Sequence, residues 1–173
     1  MVVVRDLAAA CGALLVLAAG WSVIGTGDFN GDGTTDLLLQ DGSNLAAWYL
    51  QNGTYAGGAL ITSQLPTGWS VVGTGDFNGD GTTDLLLQDG TQLADWTIKN
   101  GAIQSGYNIG PLPAGWSVAG TGDYNGDGTS DLLLQNGTQM AIWTLHNGQA
   151  QHGYAEPSLP AGWTIVPSKG LVT

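Results

Sequence analysis

An all-β fold is predicted by three features of this sequence of 173 residues. The first is an internal repeat, in which the phrase Gly-Trp-Ser-Val or Gly-Trp-Thr-Ile returns with its tryptophans 48, 47 and 47 residues apart. The second is a series of short apolar segments separated by Asp-Gly and Asn-Gly pairs, which are typical of β-hairpin turns. The third is that no helical period occurs within the repeats. Four antiparallel strands in about 47 residues match the size of a β-propeller blade, so we expect a chain of such blades.

The repeated tryptophans divide the chain into three whole units and the beginning of a fourth. They are Trp21, Trp69, Trp116 and Trp163. We expect an apolar N-terminal segment over residues 1–16, blade repeats over 17–67, 68–114 and 115–161, and a partial fourth repeat over 162–173.

The second unit illustrates the strands expected in each blade. Residues 69–72 form a short apolar strand, and residues 84–88 form an apolar run short enough for a buried strand. Residues 93–98 alternate between apolar and polar, and residues 102–109 supply a fourth extended segment. The blade should therefore be a meander of four antiparallel strands.

Two turn signals join these strands. The pairs Asp89-Gly90 and Asn100-Gly101 lie between the second, third and fourth segments. Both suit type I′ turns, in which both central residues need positive φ.

The third strand of each blade has one constant face and one variable face. The constant face carries an alanine, a tryptophan and an aliphatic residue in every unit, and we expect it to form the core between blades. The variable face carries Ala47, Asp95 and Ile142 at equivalent positions, and we expect it to be partly solvated. The constant face consists of Ala46, Trp48 and Leu50, then Ala94, Trp96 and Ile98, then Ala141, Trp143 and Leu145.

The nine-residue loop Asp-x-Asn-Gly-Asp-Gly-Thr-x-Asp occurs three times, at 28–36, 76–84 and 123–131. Oxygen-bearing side chains stand at positions 1, 3, 5 and 9, and the backbone carbonyl of the threonine at position 7 is a further donor. Ca²⁺ prefers six to eight oxygen ligands, so we expect one Ca²⁺ per loop and three in all. The predicted ligands are Asp28, Asn30, Asp32, Thr34 and Asp36; Asp76, Asn78, Asp80, Thr82 and Asp84; and Asp123, Asn125, Asp127, Thr129 and Asp131.

The loop begins like an EF-hand but differs from one downstream. An EF-hand needs a bidentate glutamate at position 12, where this chain has Leu39, Leu87 and Leu134. Its flanks are predicted strands rather than helices. Mg²⁺ is disfavoured because it requires strict octahedral geometry, and Zn²⁺ because no Cys or His lies nearby. We therefore expect ions that stiffen the blades rather than sensors or catalytic metals.

The charge of the chain follows from these loops. Nine of its 14 acidic residues lie in them, and the formal net charge is -11. Three divalent cations would bring that charge to about -5. With only three basic side chains, the chain lacks a patch for a phosphate backbone, so we expect no nucleic-acid partner.

No catalytic constellation stands out, and we expect a protein that is not an enzyme. His146 and His152 are the only histidines, and neither has an equivalent in the other units. The tryptophans recur at fixed core positions, which leaves tyrosines as candidates for contacts with a carbohydrate. These are Tyr49, Tyr55, Tyr107 and Tyr154.

At these residues the chain resembles the FG-GAP/VCBS family of integrin-α-like β-propeller repeats. The resemblance covers about residues 17–166 and rests on Gly-Trp-Ser-Val, the Gly-Thr-Gly-Asp-Phe-Asn-Gly-Asp-Gly-Thr-Thr-Asp-Leu-Leu-Leu segment, Ala-x-Trp and Asn-Gly. It implies Ca²⁺ held between the first two strands of a blade. It also implies extracellular binding or adhesion modules, lectin-like members among them, often attached to larger proteins.

The number of repeats departs from the family pattern. Family propellers usually close with six or seven blades, whereas this sequence encodes three and a fraction. An open arc would leave blade faces exposed at both ends. We expect a homo-oligomer, as a closed six-bladed dimer or a head-to-tail assembly; a fragment of a longer repeat protein is the other interpretation. A glycan or protein ligand is the expected further partner.

The two ends are less regular. The apolar stretch within residues 1–16 fits either a secretory signal or a strand or helix that caps the first blade, and it is too short for a transmembrane helix. With the family resemblance, a secreted or cell-surface location is expected. Residues 163–166 should add a first-type strand to a neighbouring blade or a partner.

Overall fold

Three four-stranded antiparallel sheets make up the protein in a computed structural model that describes residue 17 and residues 19–166. Within that part of the chain every regular element is a strand. Each sheet has its strands in sequence order and joins consecutive strands antiparallel. The first sheet consists of β1 (Ser22–Gly27), β2 (Asp36–Asp41), β3 (Asn44–Gln51) and β4 (Thr54–Thr62). The second consists of β5 (Ser70–Gly75), β6 (Asp84–Asp89), β7 (Gln92–Lys99) and β8 (Ala102–Pro111). The third consists of β9 (Ser117–Gly122), β10 (Asp131–Asn136), β11 (Gln139–His146) and β12 (Gln149–Glu156).

The apolar runs predicted as buried strands form the centres of the sheets. In β6, Leu85, Leu86 and Leu87 are all buried, although successive side chains of a strand point to opposite faces. Both faces of the second sheet are therefore covered. This explains why the sequence has an unbroken run of leucines here rather than an alternating pattern.

Sheets pack face to face through two apolar cores. The core between the first and second sheets includes Phe29, Leu38 and Leu85. The core between the second and third sheets includes Phe77 and Leu132. In each core the phenylalanine comes from the nine-residue loop, so the loops are anchored where two sheets meet.

The expectation of a partly solvated variable face is wrong for the first two sheets. Ala47 and Asp95 are fully buried, and Ile142 is partly exposed. The reason is that the variable face of each sheet receives the next sheet along the chain, and only the third sheet has no described successor. The constant faces of the second and third sheets pack in these two cores as expected. In the first sheet, Ala46 and Trp48 pack instead in a separate cluster with Leu17, Trp21 and Tyr55.

The turn types are predicted correctly at Asn-Gly and wrongly at Asp-Gly. Asn100 and Gly101 both have positive φ, 52° and 71°, as a type I′ turn requires. At the other turn Asp89 pairs with Gln92 in the ladder, so the two loop residues are Gly90 and Thr91. Only Gly90 has positive φ there, as in a type II′ turn, because the aspartate still belongs to the strand.

Residues 163–166 do not form the predicted strand on a neighbouring sheet of the described chain; their pairing with a partner stays a prediction. These residues are described without strand structure, and Trp163 and Val166 are 69% and 86% exposed. A first-type strand pairs with a second-type strand, and β2, β6 and β10 already have a paired strand on each side. The prediction for residues 1–16 lies outside the described residues. No helix in the described part of the chain is long and apolar enough to cross a membrane.

Candidate metal loops

Each nine-residue loop links the first and second strands of a sheet. The first loop begins at Asp28, directly after β1, and ends at Asp36, the first residue of β2. Gly31 and Gly33 have φ of 79° and 82°, and the glycines at the same positions in the other loops lie between 77° and 88°. The glycines are needed because side chains rarely adopt this left-handed conformation. The three loops therefore share one tight curve.

The carboxylate at position 1 lies at the centre of that curve. Asp28 accepts hydrogen bonds from the backbone N–H groups of Gly31, Asp32 and Gly33 at 2.7, 3.2 and 2.7 Å. Asp76 and Asp123 accept the same three bonds in their loops. The backbone of each loop is thus wrapped around one carboxylate.

Positions 3 and 5 form the outer rim of the loop. Asn30 Oδ1 accepts the N–H of Asp32 at 2.9 Å, and Asp32 Oδ1 accepts the N–H of Thr34 at 2.8 Å. Asp32 is exposed, and the hydrogen bond from the Thr34 side chain, with those from Asn30 and the Thr34 backbone, lowers its pKa below the usual range. Its carboxylate is therefore ionised and faces solvent. In the second loop Lys99 Nζ lies 3.3 Å from Asp80 Oδ2, an exposed ion pair that partly neutralises this rim.

The carboxylate at position 9 is withdrawn beneath the loop. Asp36 is fully buried and accepts the N–H of Phe29 at 3.0 Å and the N–H of Leu50 at 2.9 Å. Asp84 and Asp131 make the equivalent bonds. Burial raises the pKa of Asp84 to about 7, against the hydrogen bonds from Ile98 and Phe77 that lower it. Sequence reasoning assigned this residue only as a ligand and missed that it ties the loop to the third strand.

The threonine at position 7 makes a second tie to the third strand. Thr34 Oγ1 lies 2.6 Å from Leu50 O and 2.6 Å from Asp32 Oδ1. The same pair of contacts is made by Thr82 and Thr129. Only the backbone carbonyl of this residue was predicted as a ligand; its hydroxyl holds the rim aspartate in place.

The donor set suits a hard cation, although the acidic side chains are spread out. Every side-chain donor of the loop is an oxygen, which is the chemistry that Ca²⁺ prefers. Within the described residues, no three His, Cys, Asp or Glu side chains converge as they would around one metal ion. Two carboxylates and an amide lie at the curve and rim of each loop, and the third carboxylate lies below them, engaged with backbone N–H groups.

Successive loops contact each other through the variable position 8. The N–H of Thr83 donates to Asp28 O at 2.7 Å, and Thr83 Oγ1 accepts the N–H of Asp28 at 2.9 Å. Ser130 N–H donates in the same way to Asp76 O at 2.7 Å. This position could not be singled out from sequence, because it varies between Thr and Ser and carries no charge.

A shallow cleft lies away from the loops, between β8 and β12. It has a volume of about 250 Å³, and its lining includes Trp143, Gln151 and His152. The His152 and Tyr154 rings are 6.1 Å apart at their centroids. Tyr154 is half exposed, and Tyr107 is about one-third exposed. The cleft therefore joins an aromatic surface to polar side chains.

The architecture and loops define an all-β repeat protein, and one family model matches part of it. An FG-GAP-like repeat matches residues 28–87, from the first residue of the first loop to β6 of the second sheet. The chain is also similar to a chain of the Photorhabdus luminescens Tc holotoxin pore carrying the TccC3-D651A mutation, with 18% identity and a TM-score of 0.35. That similarity covers 82% of this chain but only 10% of the toxin chain. No curated protein matches the sequence.

Proposed function

We propose that this chain is a calcium-binding β-propeller-type module that serves as an extracellular binding, adhesion or assembly scaffold and has no enzymatic role. The observation that carries the proposal is one loop, with the same glycine curvature and the same oxygen donors, built three times at the same place in three sheets. The FG-GAP-like match at residues 28–87 supports a propeller-like module. We also propose that the chain is related more specifically to integrin-α-like and VCBS repeats.

Electrostatics supports a cation in each loop. Three carboxylates lie within nine residues, and in the second loop the charges of Asp76 and Asp80 add to burial in raising the pKa of Asp84. The exposed Asp32 and the central Asp28 carry the oxygens best placed to ligate, together with the Asn30 amide. A bound Ca²⁺ supplies the positive charge that offsets this repulsion and stabilises the connection between the first two strands.

Calcium binding is tested by counting ions. We expect isothermal titration of the full chain to give about three Ca²⁺ per molecule, and Asp32→Asn to reduce the number to about two. The amide can still accept the Thr34 N–H, so the loop keeps its shape while it loses a negative charge. The matched control is Asp89→Asn, which changes the same charge at the exposed last residue of β6, outside the loops.

Calcium should also raise the melting temperature, and chelation should lower it, because an ion that binds only the folded chain stabilises it. A chain that binds no Ca²⁺ at millimolar concentration would refute the proposal. An unchanged number of ions in Asp32→Asn would place the ions elsewhere.

Carbohydrate binding is a second candidate, favoured by the cleft between β8 and β12. An aromatic ring beside amide and imidazole groups suits a sugar, which stacks one face on a ring and hydrogen-bonds through its hydroxyls. We expect a glycan array to show a ligand whose binding weakens roughly tenfold when Gln151 and His152 are both changed to Ala. His146→Ala, outside the cleft, is the control. An array on which no glycan binds would contradict carbohydrate binding and leave the scaffold role as the only proposed function.

A further inference from the structure

The contacts between successive sheets occur twice with the same backbone groups. In each case the N–H at position 8 of one loop donates to the carbonyl at position 1 of the preceding loop. The glycine N–H of the Asn-Gly turn then donates to the carbonyl at position 2 of that preceding loop. We call this pair of bonds the inter-sheet latch. Its members are Thr83 to Asp28 at 2.7 Å and Gly101 to Phe29 at 3.0 Å, then Ser130 to Asp76 at 2.7 Å and Gly148 to Phe77 at 3.0 Å.

The latch requires a glycine just before each receiving loop. A Cβ atom on Gly27 would lie 2.4 Å from Thr83 Cγ2, and one on Gly75 would lie 2.7 Å from Ser130 Cβ. Real Cβ atoms do not approach so closely, so the glycine is what allows position 8 of the next loop to reach the carbonyl.

The third sheet has the receiving half of a latch without a described donor. Among the described residues, none donates to the backbone carbonyls of Asp123 and Tyr124. Tyr124 is 43% exposed, whereas Phe29 and Phe77 at the same loop position are fully buried. A Cβ on Gly122 would meet only the ring of Tyr124, at 3.5 Å and beyond.

The first sheet has the complementary donating half. Thr35 and Gly53 occupy the donor positions, and both are exposed, whereas Gly101 and Gly148 are buried. Within the described part of the chain, neither N–H has an acceptor. A Cβ on Gly53 would have no atom within 4 Å, in contrast to one on Gly101, which would strike Tyr49 and Ala59.

The central part of this first-sheet face is already covered. Leu39 and Trp48 are buried in a cluster that includes Trp21 and Tyr55. On the first sheet the part that remains open is therefore the loop end, where the latch forms. On the third sheet both the loop end and the face around Ile142 remain open.

We propose that two copies of this chain bind head to tail through an intermolecular latch. Thr35 N–H of one copy donates to the Asp123 carbonyl of the other, and Gly53 N–H donates to the Tyr124 carbonyl. The second copy is the fitting occupant because the interface would continue one that the chain already forms twice within itself. The latch joins neutral backbone groups, so it does not depend on whether the loops hold Ca²⁺.

Association is tested by light scattering and sedimentation of the full chain over a concentration series. We expect the measured mass of the wild type to exceed that of a monomer. Gly122→Ala should weaken association about 10-fold or more, because the added methyl would strike Thr35 of the second copy. The variant should fold normally, since the methyl has room within its own chain. Gly57→Ala is the control: its methyl would lie 3.6 Å from Tyr49, and Gly57 belongs to β4, away from both halves of the open latch.

A second variant tests the head-to-tail arrangement. Thr35→Arg fills the donor side at an exposed position and should also be monomeric. Each variant retains one intact half, so an equimolar mixture of Gly122→Ala and Thr35→Arg should form a heterodimer. A monomeric wild type, variants that associate like the wild type, or a mixture that stays monomeric would each overturn the proposal. Repeating the series in chelator separates this result from calcium binding.

Discussion

Asp95 is the residue whose environment differs most from what its sequence position suggested. It is fully buried on β7, and among the described residues neither carboxylate oxygen has a hydrogen-bond partner. Asp95 Oδ2 would lie 2.5 Å from a Cβ on Gly148, so the carboxyl group packs against a turn of the third sheet. Burial, with smaller contributions from the charges of Asp84 and Asp76, raises its pKa to about 8.

Replacing Asp95 with alanine should stabilise the protein at high pH. Because the folded-state pKa is raised, the folded chain binds more protons than the unfolded chain between about pH 4 and pH 8, and the free energy of unfolding falls as pH rises through that window. Alanine stands at the same position in the first sheet, as Ala47, and has no charge to bury. We expect the free energy of unfolding of Asp95→Ala to exceed that of the wild type by about 1–3 kcal/mol at pH 8. This difference should shrink towards pH 4.

Urea denaturation at pH 4.5 and pH 8 measures this difference. Asp89→Ala, at the exposed last residue of β6, is the control, and its free energy of unfolding should follow the wild-type pH profile. If the free energy of unfolding depends on pH identically in Asp95→Ala and in the wild type, the Asp95 carboxyl group has a partner or an ordinary pKa.

At the scale of the element, glycines in the outer strands accommodate the tryptophans of the third strands. Gly58 pairs with Trp48 in the ladder, and a Cβ on it would lie 3.2 Å from the indole and 2.6 Å from the backbone oxygen of Ala47. Gly106 and Gly153 stand in the same relation to their own tryptophans. The alternating Ala-x-Trp pattern predicted the tryptophan face from sequence. It did not predict that the neighbouring strand must lack a side chain there.

Gly58→Ala should therefore destabilise the first sheet. The added methyl is too close to a backbone atom that cannot rotate away, and overpacking of this kind costs about 1–3 kcal/mol. The adjacent Gly57→Ala is the matched control, because its methyl would make only an ordinary contact with the Tyr49 ring, at 3.6 Å. Thermal melts of the two variants should differ; equal melting temperatures would show that β4 shifts to make room.

The nine-residue loops show how far a local pattern can be interpreted. Sequence alone identified which residues bear oxygens, and the structure shows that the chain bends at both glycines of every loop, where φ is positive. The different structural roles of the carboxylates within a loop were not predictable from sequence. Asp28 organises its own loop, whereas Asp36 reaches Leu50 on β3, a partner 14 residues away that only strand pairing brings near.

At the scale of the whole molecule, three sheets are joined by two apolar cores and by two inter-sheet latches. The repeat predicted the strands of each sheet well, because alternation and turn residues are local signals. It did not predict which face of a sheet would be covered. Ala47, Asp95 and Ile142 hold equivalent positions, yet the first two are buried and the third is partly exposed, since that difference depends on the neighbouring sheet.

The nine-residue loop, its three copies and the all-β organisation were determined by the sequence itself, because spacing, glycine and acidic residues act within a few positions of one another. Tertiary structure decided the rest: the withdrawal of Asp36, the burial of Asp95 and the open latch halves at Thr35 and Tyr124. These features depend on contacts between residues 14 to 55 positions apart, or on the absence of such a contact within the described chain. A one-dimensional pattern does not contain that information, because equivalent residues have the same local sequence and different neighbours.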